Sequence, residues 1–306
     1  MSFQRLHFIT GLPRSGSTLL AAIVRQNPRF HAAMSSPVAG IVGASLSAMG
    51  ADNEFSAFLA EAQKRAILHG VFDGYYGALP PREVVFDTNR GWTARMPLLR
   101  RLYPHARFIC CVRNPAWILD SVERLLRSNA FDESRLFSAA ERGDIYTRAE
   151  TLAKRDRLIG YPWAALREGF HGDDAGAMLL VDYDLLAAAP ERTLELIHQF
   201  IGEPAFPYDF EHVEYEAEDF DLRLIARGLH TVTGRVEPKP RRTILPPDIF
   251  ERFAAMEFWK DYRGSRAKVI VQQAAAPADP TPKPAPDLRA GSNPPTNGAH
   301  PAAPSP

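Results

Sequence analysis

Short, almost uniformly apolar runs recur along the chain, each followed by a stretch in which apolar residues return every three or four positions. Phe8-Ile9-Thr10, Glu83-Val84-Val85-Phe86-Asp87, Phe108-Ile109-Cys110-Cys111-Val112 and Ala177-Met178-Leu179-Leu180-Val181-Asp182 hold these runs, and each reads as a strand of a covered sheet. Between them the helical period predicts a helix from Leu19 to Val24 and another from Val38 to Met49, opened by Ser35-Ser36-Pro37. A longer amphipathic helix carries Phe55, Phe58, Leu59, Ala62, Ala66 and Leu68 through Tyr75-Tyr76. Trp92 to Tyr103 is a basic helix, and Pro115 opens one that aligns Ile118, Leu119, Val122, Leu125 and Leu126. A charged helix from Tyr146 to Phe170 is interrupted at Gly160-Tyr161-Pro162, and Pro190 to Ile201 follows the fourth strand. Strands alternating with helices predict an α/β fold, a parallel sheet flanked by helices on both faces. Ligands bind such sheets at the carboxyl ends of the strands, which here carry Arg14, Asp87, Arg113 and Tyr183.

Two stretches break the pattern. Residues 205–247 are acidic at first and basic later, without a period, and read as a flap ahead of a last helix carrying Ile249, Phe253, Met256 and Trp259. Beyond Gln272 the chain is mostly Pro, Ala, Gly and polar residues, a composition that cannot bury a core. The expected organisation is therefore one α/β domain over 1–271 and a disordered tail over 272–306.

Composition narrows the function classes. With 306 residues, 45% of them hydrophobic, the chain has enough apolar material for a large core. The formal net charge is zero, so nothing draws the chain as a whole to nucleic acid or an anionic membrane. No run approaches the roughly 20 apolar residues of a membrane span, and residues 1–7 are too short and polar for a signal peptide; a cytoplasmic location is the expectation. Cys110 and Cys111 are neighbours on a strand, point to opposite faces, and lack metal-ligand spacing. They read as buried, reduced residues.

The first strand leads into the densest chemistry, Gly11-Leu12-Pro13-Arg14-Ser15-Gly16-Ser17-Thr18. A strand, a tight loop and a helix start aim backbone N–H groups at one point, which makes an anion site. The spacing approaches a P-loop, with Gly11, four residues and Gly16, but Ser17 stands where that motif needs lysine. Arg14 supplies a cation instead, and the hydroxyls of Ser15, Ser17 and Thr18 are potential donors. An ordinary strand-to-helix turn capped by Ser17 or Thr18 is the simpler alternative.

Pro13-Arg14-Ser15-Gly16-Ser17-Thr18-Leu19 resembles the 5′-phosphosulfate loop of sulfotransferases. Arg113-Asn114-Pro115, with Ser121 eight residues after the arginine, resembles their 3′-phosphate motif. Val181-Asp182-Tyr183-Asp184-Leu185 and Phe200-Ile201-Gly202-Glu203-Pro204 are similar to a further block of the family. The loop is closest to the branch that includes the tyrosylprotein and many bacterial enzymes. The resemblance implies a P-loop-type fold, the donor 3′-phosphoadenosine-5′-phosphosulfate (PAPS), and transfer of its sulfuryl group to an acceptor hydroxyl or amine, with no metal. It assigns Arg14, Ser15, Gly16, Ser17 and Thr18 to the 5′ side of the donor, Arg113 and Ser121 to the 3′-phosphate, and Tyr183 to the border of the nucleotide. The acceptor, whether small molecule, glycan or peptide, is unnamed by any motif, and Ser35 to Tyr76 together with His230 to Arg242 are the expected source of its pocket.

The base departs from the family pattern. Ser35-Ser36 stands where the tyrosylprotein branch has Glu, and Asp87-Thr88-Asn89 where other branches have His or Asp-Lys. Asp87, at a strand end, is the first catalytic candidate beside Arg14, with loop capping as its other reading; His31 and His230 follow. Two alternatives stay open: a P-loop kinase or nucleotide hydrolase with Asp87 or Asp182 ending its Walker B strand, and a nucleotide-binding module without activity.

Overall fold

The structure, a computed structural model, describes residues 3–129, 136–223 and 229–271. In chain order the elements are β1 (Arg5–Gly11), α1 (Ser17–Val24), β2 (Phe30–Ala32), α2 (Val38–Ala48), α3 (Glu61–Gly77), β3 (Val84–Thr88), α4 (Met96–Leu102), β4 (Phe108–Val112) and α5 (Pro115–Ser128). They continue with α6 (Ile145–Ala153), α7 (Gly160–His171), β5 (Met178–Asp182), α8 (Tyr183–Ala188), α9 (Pro190–Ile201), α10 (Glu218–Arg223), α11 (Pro247–Ala254) and β6 (Lys268–Ile270). Among the described residues the strands form a six-stranded sheet in the order β2-β3-β1-β4-β5-β6, every pairing parallel.

Alternation along β1 and β4 sorts side chains into two cores. Phe8, Phe108, Cys110 and Val112 pack on one face with Phe72, Trp92 and Leu99, where the Phe8 and Phe108 rings stack at 5.0 Å. Ile9, Ile109 and Cys111 pack on the other with Leu20, Ile23 and Leu194. Adjacent cysteines thus lie in different cores as free, fully buried thiols, and burial pushes the Cys111 thiol up to about 12.

The helices begin where the local chemistry directs. Asn114 caps α5, its Oδ1 accepting the Ala116 N–H at 2.9 Å, with Pro115 in the first turn. Pro190 opens α9 and Gly202, φ 73°, closes it. Glu203, just beyond, is buried and pairs with Arg5 at 2.5 Å and Arg29 at 3.2 Å, which fixes the end of α9 against the start of β1.

Several boundaries differ from the sequence expectation. β2 and β6 were not expected; each is three residues long, too short to carry a period of two. The basic helix starts as a 3₁₀ turn, Arg90–Arg95, before α4. The charged helix breaks between Ala153 and Gly160, ahead of the predicted Gly-Tyr-Pro, because Gly160 is the first residue of α7; a Cβ there would fall 2.1 Å from the Lys154 carbonyl oxygen. The chain divides into two units, Met1–Gln272 and Gln273–Pro306. The second, and with it the expectation of a disordered tail, lies outside the described residues. Among the described residues no helix is long and apolar enough to cross a membrane.

Candidate active site

The turn after β1 requires its glycines. Gly11 has φ 111°, and a Cβ on it would lie 2.1 Å from the Cys111 carbonyl oxygen, so only glycine lets β1 turn this close to β4. Arg14 takes the left-handed region with φ 56°, and Gly16 follows with φ 90°. Gly16 is the cap position of α1 and offers no side-chain acceptor. The first-turn N–H groups of α1 are therefore left for a ligand or water.

The loop's hydroxyls divide into two roles. Ser17 and Thr18 line a cavity of about 630 Å³ at the carboxyl edge of the sheet. Ser15 is 1% exposed, and its Oγ lies 2.5 Å from the Leu12 carbonyl oxygen and 2.9 Å from that of Cys111. This corrects the expectation that Ser15 gives its hydroxyl to the anion: the single O–H proton is used inside the loop, fastening it to β4.

Arg14 crosses to α5 and to the 229–239 segment. Its Nε donates to Ser121 Oγ at 3.1 Å and its Nη1 to the Leu229 carbonyl oxygen at 2.6 Å. Arg113, leaving β4, does not share Ser121. Its Cζ lies 4.2 Å from the centroid of the Tyr183 ring, at the first residue of α8. The Arg113 Nε is buried and has no hydrogen-bond partner among the described residues. Both guanidiniums line the cavity, and burial lowers the pKa of each; the neighbouring Arg113 charge adds to the lowering for Arg14. Tyr183 also fits closely against the loop, since a Cβ on Gly16 would meet its Cδ2 at 2.7 Å.

Asp87 is elsewhere. It is 0% exposed, does not line the cavity, and accepts from Trp92 Nε1 at 2.7 Å, Tyr76 Oη at 2.6 Å and Ser36 Oγ at 2.8 Å. Burial raises its pKa, and these three donors oppose the rise. The catalytic expectation for Asp87 is thereby corrected: its carboxylate joins the start of α2, α3 and the 3₁₀ turn after β3, and no side of it faces the ligand space. His31, half-buried on β2, has its pKa lowered by burial and is likewise outside the cavity lining.

The pocket's other wall comes from the patternless stretch. Leu229 to Lys239 line it, as the sequence suggests for His230 onward, whereas α2 and α3 do not; from the expected 35–76 region only Ser35 reaches it. Val122, Leu125 and Leu126 of α5 give it an apolar side, and Thr88, Asn89 and Arg90 close the end of β3. Arg90 and the Leu229 carbonyl were not singled out by sequence. Arg90 follows the strand-end position by the sheet rule, but the carbonyl has no signature in side-chain chemistry.

The chain is similar to proteins already known. Nodulation protein NoeE of Sinorhizobium fredii is 26% identical over 217 residues, covering 64% of this chain and 49% of that protein, so the chain spans about half the length of this relative. The sulfotransferase domain from the Synechococcus PCC 7002 olefin synthase superposes with a TM-score of 0.47 at 16% identity, over 83% of this chain and 94% of that one. The sulfotransferase domain from the curacin biosynthetic pathway gives 0.48 at 14% identity, over 83% and 97%. The sulfotransferase family itself matches residues 7–207, from β1 through the end of α9, and to that family the chain belongs.

Proposed function

We propose that this chain transfers a sulfuryl group from 3′-phosphoadenosine-5′-phosphosulfate to a hydroxyl or amine of an acceptor. The observation that carries the reading is the meeting of two guanidiniums, Arg14 and Arg113, at one cavity, with no carboxylate in ion-pair contact with either among the described residues. Such a pair suits a ligand with two separated anionic groups. The partnerless Arg113 Nε is a buried donor that a phosphate oxygen would satisfy. The cavity volume lies in the range of about 300–1,000 Å³ usual for small-molecule sites.

When bound, the donor supplies the sulfuryl group and a phosphate as leaving group. Arg14, Ser17, Thr18 and the first-turn N–H groups of α1 would stabilise negative charge gathering at that phosphate, the task a preorganised donor set performs best. Arg113 and Ser121 would hold the 3′-phosphate, and Tyr183 would border the nucleotide while keeping the Arg113 fork in place. The apolar side of α5 would exclude water from the transfer. Residues 1–271 would form the catalytic unit, and the two buried free thiols accord with a reducing, cytoplasmic setting.

Calorimetric titration tests the donor. Adenosine 3′,5′-bisphosphate should bind more tightly than ATP with Mg²⁺. The reverse order would favour a P-loop kinase or hydrolase and defeat this reading. Single-turnover assays with labelled PAPS separate a transferase from a module that binds without turnover.

A further inference from the structure

The site needs a proton acceptor, and Asp87 does not reach it. One histidine does. His230 lines the cavity, and its predecessor's carbonyl oxygen accepts from Arg14 Nη1 at 2.6 Å, so the imidazole stands one residue from the guanidinium at the centre of the anion cradle.

Asp221, 1% exposed on α10, gives both carboxylate oxygens to this histidine. Oδ1 lies 2.6 Å from His230 Nδ1, and Oδ2 accepts the His230 backbone N–H at 2.9 Å. An ionised carboxylate only accepts, so the Nδ1 facing it carries the proton, and the Nε2 lone pair is the one that can take another. The Phe220 ring, at 5.6 Å and 67° to the imidazole, supports it from the side. A buried carboxylate that fixes both the orientation and the tautomer of a cavity-facing histidine is the arrangement that general-base catalysis uses.

We propose that His230 is the general base of the transfer and Asp221 its positioning residue; the proposal rests on the sulfuryl-transfer reading above. The acceptor O–H bond breaks with its proton passing to His230 Nε2. The freed oxygen pair forms the O–S bond as the bond from sulfur to the nucleotide phosphate breaks, and that bond's pair stays on the phosphate oxygen beside Arg14. The resulting imidazolium is balanced by Asp221. A purely structural dyad would only hold residue 230 against α10.

The test uses the full chain and its His230→Gln and Asp221→Asn variants with three readouts. Titration with adenosine 3′,5′-bisphosphate should give affinities within about two-fold in all three proteins. Nitrogen-15 spectra of the imidazole should show the Nδ1–H tautomer in the wild type and its loss in Asp221→Asn; an Nε2–H tautomer in the wild type overturns the proposal whatever the activity. Single-turnover transfer from labelled PAPS to water and to phenols of graded acidity should fall about 10²–10⁴-fold in His230→Gln. The loss should grow from 4-nitrophenol to the least acidic phenol, with a smaller loss in Asp221→Asn. Wild-type rates in His230→Gln overturn the base, as does a loss equal for every phenol and matched by weaker bisphosphate binding, which is the structural role. A wild-type protein that does not bind the bisphosphate overturns the donor reading instead.

Discussion

Arg14 and Ser121 stand 107 positions apart in the chain and 3.1 Å apart in space, Nε of the one donating to Oγ of the other. The loop after β1 and the helix after β4 are thereby one constellation. Ser121 accepts in this contact, so its own O–H proton is not used in it. Leu229 adds its carbonyl on the far side of the same guanidinium. Arg14 is thus oriented from both walls of the cavity before any ligand arrives, which is what preorganisation requires.

Removing that cation should stop the chemistry without unfolding the protein. Arg14→Ala is expected to lower single-turnover transfer from PAPS by at least about 10²–10³-fold at saturating donor, the loss typical of one charge-stabilising group. The midpoint of thermal unfolding should move little, since alanine meets the same left-handed strain at φ 56° that arginine already bears. Normal transfer in this variant would show that Arg14 does not face the reacting atoms.

Arg113 carries a different expectation. Arg113→Ala should weaken adenosine 3′,5′-bisphosphate about 10- to 100-fold, the value of a charge-assisted contact, and leave adenosine 5′-monophosphate binding nearly unchanged. The chemical step at saturating donor should stay close to that of the wild type. An equal loss for both nucleotides in calorimetry would mean that the guanidinium supports the Tyr183 ring rather than a 3′-phosphate.

How much of this was legible beforehand follows from length and spacing. β1, β3, β4 and β5 are each at least five residues long and each holds consecutive apolar residues (Phe8-Ile9, Val84 to Phe86, Phe108 to Val112 and Met178 to Val181), so they declare themselves. β2 and β6 have three residues apiece and take their identity from neighbours already in the sheet. The glycine loop was readable because Gly11 and Gly16 sit at positive φ, a demand that few other residues meet. The fate of Ser15 was not, because spacing does not tell whether a hydroxyl turns outward or onto the Leu12 carbonyl. Asp87 misled for a related reason: Tyr76 and Trp92, which hold it, come from two different elements. Asp221 is one acidic residue among many in a stretch without a period, and only the fold brings it to His230.

The two loop glycines should fail in different ways. In Gly11→Ala the new Cβ meets backbone, 2.1 Å from the Cys111 oxygen and 2.7 Å from its nitrogen, and backbone in the middle of a sheet cannot yield. Little soluble, folded protein is expected. In Gly16→Ala the obstacle is the edge of the Tyr183 ring at 2.7 Å, which can turn aside. This variant should fold, lose on the order of 1–2 kcal/mol to left-handed strain, and bind the bisphosphate about ten-fold more weakly once the ring moves off Arg113. Circular dichroism melts and calorimetry read the two losses separately; equal stability of both variants would contradict the contrast.

Asp87 can be tested as a fold element against the alternative that it is a base. Asp87→Asn keeps one oxygen for Trp92 Nε1 and turns its amide to the hydroxyls of Tyr76 and Ser36, which can accept. Transfer within about three-fold of the wild type is expected, with the Trp92 bond kept and the two hydroxyl bonds reversed in direction. Asp87→Ala leaves the Trp92 N–H and the Tyr76 hydroxyl buried without this acceptor and should cost on the order of 3 kcal/mol. A folded Asp87→Asn protein that binds the bisphosphate and transfers nothing would restore the carboxylate to the chemistry.

Asp182 supplies the pH dependence. Its Oδ1 caps α8 by accepting the Asp184 N–H at 2.8 Å, yet the carboxyl is pushed from 3.8 up to about 6, first by burial and further by the charges of Asp184 and Glu257. The folded state therefore holds this proton more tightly than the unfolded chain does. The stability it contributes is complete below about pH 4 and is lost as pH rises through about 6, since the unfolded state binds fewer protons across that window. Above it the buried charge costs on the order of 3 kcal/mol. Asparagine caps a helix as well as aspartate and carries no charge. Asp182→Asn should accordingly melt about 5 °C higher than the wild type at pH 8 and no higher at pH 4. An unchanged or lower midpoint at pH 8 would mean that the ionised carboxylate is repaid within the fold, by the helix start it caps.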